Sequence, residues 1–171
     1  MVQNGIEYGD MQLIFEAYDV LKNVGDLLNE ELARIFDEWN KGEVESFLIE
    51  IMVDIFKVKD DLGECELVDK ILDTTGMKGT GKWTVQQAVE LSAAAPTIAA
   101  SLNCRHVSGL KEERESAVRA VPEAGIKEEV NSVRGGIDKK RLIDDAGQAL
   151  YASKICSHAQ GMNLYQSSLL G

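Results

Sequence analysis

Residues 6–24 read IEYGDMQLIFEAYDVLKNV, and this stretch decides the fold class. Met11, Ile14, Phe15 and Tyr18 follow the i, i+3, i+4, i+7 spacing of one helix face, so the stretch predicts an amphipathic helix. Gly25 is a favourable residue for ending that helix. An apolar stripe of this kind has to be covered by other elements, and the sequence beyond it predicts further helices.

The same spacing recurs three times downstream. Asn29, which precedes two glutamates, is expected to cap a second helix that Gly42 stops. A third helix follows, and after a turn at residues 60–63 a fourth, shorter helix is expected to end near Gly76. The apolar positions are Leu32, Ile35, Phe36 and Trp39 in the second helix, Phe47, Leu48, Ile51, Met52, Ile55 and Phe56 in the third, and Leu67, Val68, Ile71 and Leu72 in the fourth.

The second half of the chain alternates loops and helices. Residues 76–84, GMKGTGKWT, predict an irregular loop, and Pro96 is expected to begin a new helix. Residues 110–120 are charged and expected to be solvated, and residues 122–136 are expected to form a loop with a helical fragment. Asp138 can cap the last helix, whose inward-facing residues are expected to be Leu142, Ile143, Ala146, Ala149 and Leu150. Without alternating strand patterns, the predicted fold class is all-α, with one domain over residues 1–171.

Composition narrows the classes of function. The chain has 171 residues and a net charge of -11, which argues against a nucleic-acid binder, because such binders cluster Lys and Arg. No apolar run is long enough for a membrane span, so no membrane association is expected. A small anionic ligand remains compatible, since a few local cations in a cleft can override a distant negative surface.

Cysteine and histidine spacing predicts no metal site. Cys65, Cys104 and Cys156 lie far apart without a CxxC pair, and we expect them to be buried, reduced thiols. His106 and His158 are interpreted as surface or satisfied core histidines rather than catalysts. Reduced thiols imply a reducing compartment. The N-terminal residues show the features of neither a signal nor a transit sequence.

Three segments could bind an anion. Glu7 and Tyr8 are expected in the first turn of a helix, where free N–H groups attract anions, although spacing alone favours a plain helix-start acid for Glu7. The loop at residues 78–84 could cradle an anion or be a flexible turn, and it matches neither GxxxxGK[ST] nor GxGxxG. Arg105 could clamp a phosphate or pair with a helix carboxylate.

Four stretches together resemble the C-terminal helical domain of 6-phosphogluconate dehydrogenase, particularly that of plant members. They are NGIEYGDMQ (4–12), GTGKWT (79–84), APTIAASLNCRHVSGLKEER (95–114) and DKKRLIDDAGQALYASKICSHAQGMNL (138–164). The resemblance implies NADP-dependent oxidative decarboxylation of 6-phosphogluconate to ribulose 5-phosphate. In that family a lysine acts as the base on the 3-hydroxyl and a glutamate later donates a proton.

The resemblance also assigns roles residue by residue. It implies that Glu7 is the catalytic acid. It further implies that the substrate is bound by Asn4, Tyr8, Lys82, Thr84 and Arg105. Of these residues, Tyr8 and Arg105 are expected to contact the phosphate. Cations and hydroxyl donors that converge from several segments suit a dianionic phosphate.

The chain departs from the family pattern in several places. The catalytic lysine is expected to be missing, because the chain starts one position after it, and Gln3 stands where the family has a histidine. The Rossmann domain that holds NADP and the distal C-terminal part are expected to be absent, and residues 165–171 are expected to diverge from the family. Loss of the base and of the hydride acceptor predicts that the chain alone is inactive.

Three interpretations stay open. The chain could be a fragment whose functional label is that of the parent enzyme, or a non-catalytic helical module that associates with full-length subunits in a dimer. It could also bind sugar phosphates weakly through Lys82 and Arg105 without turnover. A cytoplasmic location is expected, and the family also allows a plastid.

Overall fold

The computed structural model describes residues 1–76, 78–126 and 136–170, and within these ranges the regular elements are helical. Seven α-helices lie in the described residues, so the all-α prediction is confirmed. They are α1 Val2–Asp19, α2 Asn29–Trp39, α3 Phe47–Lys57, α4 Thr80–Glu90, α5 Pro96–Gly109, α6 Lys111–Glu123 and α7 Lys139–Leu170. A π-helical turn, Val20–Val24, continues α1, and a short 3-10 helix occupies Leu67–Lys70.

The chain divides into two compact units. The first unit consists of Met1–Gln12, Asp73–Glu128 and Ser153–Gly171, and the second of Leu13–Leu72 and Glu129–Ala152. Each unit has its own apolar core. No described helix is both long enough and apolar enough to cross a bilayer.

The core of the second unit is built on Phe36 and Phe56, which are almost fully buried. Their rings meet edge to face with centroids 5.3 Å apart, and Tyr18 stacks on Phe56 at 5.6 Å. Burying a side chain of this size contributes about 1.5–3 kcal/mol, so this aromatic cluster accounts for much of the packing of α2 on α3. Gly147 of α7 lies so close to Trp39 that a Cβ there would be 3.0 Å from the indole.

Two helix predictions in this unit are wrong. Asn29 does not cap α2, because the cap residue is Leu28, whose N–H donates to Glu31 Oε2 at 2.8 Å. Asn29 is buried and donates instead to Asp69 Oδ2 at 2.7 Å. The predicted fourth helix is only the 3-10 turn at Leu67–Lys70, and Ile71 and Leu72 beyond it are exposed.

Other predictions divide between confirmed and corrected. Pro96 does begin α5, α6 is largely exposed, and Asp138 Oδ1 accepts from the Arg141 N–H at 3.1 Å at the start of α7. Phe15 and Ala149 are exposed, not inward-facing, because the apolar stripe of each helix is narrower than its sequence predicts. The three cysteines are free but exposed, not buried.

The loop predicted at residues 76–84 was too long, whereas the segment at residues 122–136, predicted to be a loop with a helical fragment, does begin with helical residues. The loop expected at residues 76–84 ends before Thr80, where α4 begins. Of the loop expected at residues 122–136, Pro122 and Glu123 belong to α6, and residues 127–135 lie outside the described residues. Helical hydrogen bonding therefore extends into both segments despite their glycine and proline content.

In the first unit, α1 packs on α4 and α7 at glycine positions. A Cβ on Gly5 would lie 2.4 Å from Thr84 Cγ2, and a Cβ on Gly161 would lie 2.4 Å from Ile6 Cδ1. Ile6 also packs against a small core that contains Ile98 and Leu164. Any larger residue than glycine at these contacts would push the helices apart.

We predict that Gly5→Ala destabilises the chain by about 1–3 kcal/mol, because overpacking at the α1–α4 contact outweighs the helix propensity gained. Gly109→Ala is the matched control, since a Cβ there meets only Thr75 O at 3.9 Å. The control is expected to be neutral or slightly stabilising. Urea unfolding followed by circular dichroism measures both changes, and equal free energies of unfolding for the two variants would contradict the packing argument.

Candidate functional site

Tyr8 and Arg105 form the centre of the candidate site in the first unit. Tyr8 lies on α1 and is 6% exposed, and the Arg105 guanidinium on α5 lies over its ring, with Cζ 4.1 Å from the centroid. A cation over an aromatic face is attracted by about 0.5–2 kcal/mol, depending on solvation. Tyr8 also touches α4, because a Cβ on Gly81 would be 2.5 Å from Tyr8 Cε1.

The remaining contacts of Arg105 are with neutral groups. Its Nη1 donates to the carbonyl oxygen of Gly76 at 3.2 Å, and Nη2 lies 3.5 Å from the Met11 sulfur. Among the described residues Arg105 makes no ion pair, so the alternative of a helix carboxylate partner is not realised. A guanidinium has five N–H donors, and these contacts leave donors and the full positive charge for an anion.

Lys82 lies in the first turn of α4. Gly79 precedes that helix with φ +97°, a left-handed conformation that glycine adopts without a Cβ penalty. The Lys82 side chain is exposed, and within the described ranges no carboxylate pairs with it. The first turn of a helix presents free N–H groups and a positive dipole end, so both Lys82 and the backbone favour an anion here.

Thr84 was predicted to lie in a ligand-binding loop, but in the structure it lies inside α4. It is fully buried between α4 and α1. Its hydroxyl lies 2.9 Å from the Thr80 carbonyl oxygen and 3.1 Å from that of Met1, so it can donate within the protein. A ligand reaches this hydroxyl only if α1 and α4 separate, and Thr84 here serves helix packing.

Asn4 lies four residues before Tyr8 and three before Glu7 on α1, so it is a helix-surface neighbour of each of them. Asn4 is exposed and Glu7 is half-buried. Because α1 begins at Val2, Glu7 lies in the second turn, and the interpretation of Glu7 as a helix-start acid is wrong. Within the described part of the chain, neither side chain is engaged in a hydrogen bond or ion pair, so both are available to a ligand.

A buried ion pair beside these residues has no signal in the sequence. Lys154 Nζ on α7 donates to Asp10 Oδ2 at 3.1 Å, and both residues are less than a tenth exposed. His158 Nδ1 donates to the Lys154 carbonyl at 2.9 Å. Removing one partner of a buried pair typically costs about 3–5 kcal/mol, so this pair holds α7 against the helix that carries Tyr8. The two residues are 144 positions apart, and no local pattern links them.

The structure thus joins three of the predicted segments directly. Tyr8 contacts Arg105 and Gly81, and Gly81 is the neighbour of Lys82 in sequence. Thr84 contacts Gly5, the neighbour of Asn4. Among the described residues, no group of three or more His, Cys, Asp or Glu side chains could hold a metal ion.

Sequence comparison matches residues 1–169 to the family described as 6-phosphogluconate dehydrogenase, C-terminal domain. The chain belongs to this family. The resemblance predicted from the four motifs is therefore confirmed. The match includes residues 165–169, so the predicted divergence from the family over residues 165–171 is wrong for most of that segment.

Individual relatives place the 6-phosphogluconate dehydrogenase domain within longer proteins. The chain is 77% identical to the chloroplastic decarboxylating enzyme 2 of Spinacia oleracea over 98% of its length, which is 31% of that protein. It is 50% identical to the decarboxylating enzyme of Lactococcus lactis, with 94% and 33% covered. The chain therefore spans about a third of the length of these curated relatives.

A solved structure gives the same result for the fold. The 6-phosphogluconate dehydrogenase of Plasmodium falciparum matches with a TM-score of 0.88 and 42% identity, covering 97% of this chain and 34% of that one. That enzyme was solved apo, with its cofactor NADP+ and with its substrate 6-phosphogluconate. At this identity the helical arrangement of the family is shared, not only its fold class.

The contact between Tyr8 and Arg105 predicts different effects for two substitutions. Tyr8→Phe keeps the ring and is expected to change the free energy of unfolding by less than about 1 kcal/mol. Tyr8→Leu loses both the ring packing and the cation–π contact and is expected to cost about 2 kcal/mol or more. Urea unfolding measures both, and equal losses for the two variants would show that the ring does not support Arg105.

Proposed function

We propose that this chain is the substrate-binding domain of a decarboxylating 6-phosphogluconate dehydrogenase, and that its cations bind the phosphate of 6-phosphogluconate. The observation that carries the proposal is the Arg105 guanidinium, oriented by Tyr8 and Gly76 and neutralised by no described carboxylate. Lys82 in the first turn of α4 supplies a second uncompensated charge. Family membership supplies the identity of the substrate.

The roles of the individual residues follow from their places in the first unit. Arg105 forms charge-assisted hydrogen bonds to phosphate oxygens, Lys82 adds a point charge, and the Tyr8 hydroxyl can donate to the same group. Asn4 offers an amide to the sugar hydroxyls from the same face of α1. Thr84 contributes from its buried position by fixing the turn of α4 that carries Lys82.

Glu7 is proposed as the acid of the later proton transfer. Glu7 is half-buried and lies three residues after Asn4 on α1, so its carboxyl group neighbours the amide proposed to bind the sugar hydroxyls. A carboxyl group that donates to the enediol carbon must first hold a proton. In this proposal Glu7 accepts a proton at one step and releases it at the last.

NADP, the family's hydride acceptor, does not fit the described residues. A dinucleotide is held by a glycine-rich turn between a strand and a helix, and the described ranges contain helices without such a unit. The described residues therefore offer no such unit for the hydride acceptor. We also propose that the family's base lysine has no counterpart among residues 1–171, so that these residues alone bind substrate without oxidising it.

A second candidate function is association with other subunits, either as a homodimer or with a full-length homologue. Several large apolar side chains are exposed in the described residues, among them Phe47 at 72% and Val89 at 76%. Exposed apolar surface of this kind favours association. Co-purification with a tagged full-length homologue and light scattering of the chain alone distinguish the two forms.

The relatives also bear on the compartment, which the sequence alone placed in the cytoplasm with a plastid allowed. Identity is 77% to the spinach enzyme named chloroplastic and 65% to the spinach enzyme without that label. The higher identity supports the proposal that the chain derives from the plastid branch. Fractionation of plastids and cytosol with an antibody to the chain tests it.

We predict that the chain binds 6-phosphogluconate and that Arg105→Ala or Lys82→Ala weakens binding by about tenfold or more, because a hydrogen bond to a charged group contributes about 1.5–3 kcal/mol. Arg119→Ala is the matched control, since it removes one positive charge from exposed α6, where Arg119 contacts only Ser116 among the described residues. Isothermal titration calorimetry measures the dissociation constants. Absence of heat at millimolar 6-phosphogluconate would remove the proposal for the isolated chain.

Incubation of the purified chain with 6-phosphogluconate and NADP+ is expected to form no NADPH, because the base and the hydride-acceptor site are not among its residues. Absorbance at the NADPH wavelength measures this, and a full-length homologue serves as the positive control. NADPH formation in proportion to the concentration of the chain would contradict the proposed division between binding and turnover.

A further inference from the structure

Residues 73–76 lead towards Gly79 and Lys82 but are not held by apolar packing. All four are exposed, as are Ile71 and Leu72 before them. An exposed segment without buried apolar contacts keeps one conformation only if polar contacts fix its backbone. The contacts that residues 73–76 make with α5 and α6 therefore decide their position.

The backbone of this segment is bonded at three positions. The Asp73 carbonyl accepts from Arg114 Nη2 at 2.6 Å, and the Thr75 N–H donates to Ser108 Oγ at 3.1 Å. The Gly76 carbonyl accepts from Arg105 Nη1 at 3.2 Å. Two of these three partners are arginines that also serve other contacts.

Arg114 makes the largest set of these contacts. Its Nη1 donates to Asp73 Oδ2 at 3.1 Å, and its Nη2 also donates to the Ser108 carbonyl at 3.1 Å. Lys111 forms a second ion pair with the Asp73 carboxylate. Hydrogen bonds from Lys111 and Arg114 lower the pKa of Asp73 to about 2, so the carboxylate stays charged at neutral pH.

We propose that Arg114 is a positioning residue for the anion site: it holds residues 73–76 on the junction of α5 and α6, and the Gly76 carbonyl then orients Arg105. This proposal rests on the proposed function only for the identity of the ligand, 6-phosphogluconate. Arg114 lies nine positions after Arg105, on α6 instead of α5, and it acts through the Asp73 backbone and side chain, not through the substrate.

The geometry of the guanidinium explains why arginine is needed at residue 114. One planar group reaches two carbonyl oxygens and a carboxylate at the same time. A lysine ammonium can keep the attraction to Asp73 but cannot reproduce the fork. An exposed ion pair alone would contribute little to the free energy of folding. Hydrogen bonds to the carbonyls of Asp73 and Ser108, in contrast, fix the position of the backbone at both residues.

The test compares Arg114→Ala and Arg114→Lys with the control Arg119→Ala in the full 171-residue chain. The control removes the same charge from the same helix, at a residue without contact to residues 73–76. NMR measures amide exchange of Thr75 and the side-chain Nε–Hε resonance of Arg105, and calorimetry measures the dissociation constant of 6-phosphogluconate. Circular dichroism confirms that each variant is folded.

In Arg114→Ala we expect faster exchange of the Thr75 amide, a shifted Arg105 resonance and about fivefold weaker binding. Arg114→Lys should show the same changes to a smaller extent, and it decides the question if Arg114→Ala does not fold. Arg119→Ala should leave all three values near those of the unmodified chain.

The two proposals fail in different ways. If the unmodified chain binds 6-phosphogluconate and the Arg114 variants leave the Arg105 resonance and the dissociation constant unchanged, the positioning role is overturned while the proposed function stands. If the unmodified chain does not bind, the proposed function fails for this chain. The Thr75 exchange and the Arg105 resonance, which need no ligand, then support or overturn the role of Arg114.

Discussion

Close contact between helices at glycine positions is the constraint on which the first unit depends. Gly5 and Gly81 bring α1 and α4 together, and Gly9 and Gly161 bring α1 and α7 together, in each case without room for a Cβ. At this separation the Tyr8 ring touches the backbone of α4, and Thr84 is shut in between helices. The buried pair of Asp10 and Lys154 adds a charge contact at the same helix. The side chains of α1 that face α4 and α7 are therefore held in place by residues of those helices.

This packing explains how a chain of net charge -11 can hold a guanidinium that no described carboxylate neutralises. Arg105 is surrounded by an aromatic ring, a carbonyl and a thioether, which orient its guanidinium without neutralising it. Two nearby carboxylates are paired with other cations, Asp73 with Lys111 and Arg114 and Asp10 with Lys154. Local arrangement, not net charge, sets the potential that a small ligand meets in a cleft.

The glycine-rich segment shows how a correct motif can be given the wrong conformation. Three glycines near residues 76–81 predicted a loop that holds a ligand by its backbone, yet only Gly79 adopts a left-handed conformation. Gly81 is helical and is needed because Tyr8 approaches it. Lys82 therefore lies exposed in the first turn of a helix, whereas Thr84 is buried in a contact between helices. The sequence had predicted that both residues bind the substrate.

The sequence by itself determined the helical class, most helix positions and the family, because apolar spacing and the motifs around Glu7, Lys82 and Arg105 are local signals. Tertiary structure alone decided which side chains on those helices are covered. Exposed Phe15, buried Thr84 and buried Asn29 all depend on a partner helix or turn whose distance no local pattern encodes. The contacts of Arg105 with Tyr8 and of Arg114 with Asp73 likewise join residues far apart in sequence, so they exist only once the chain has packed.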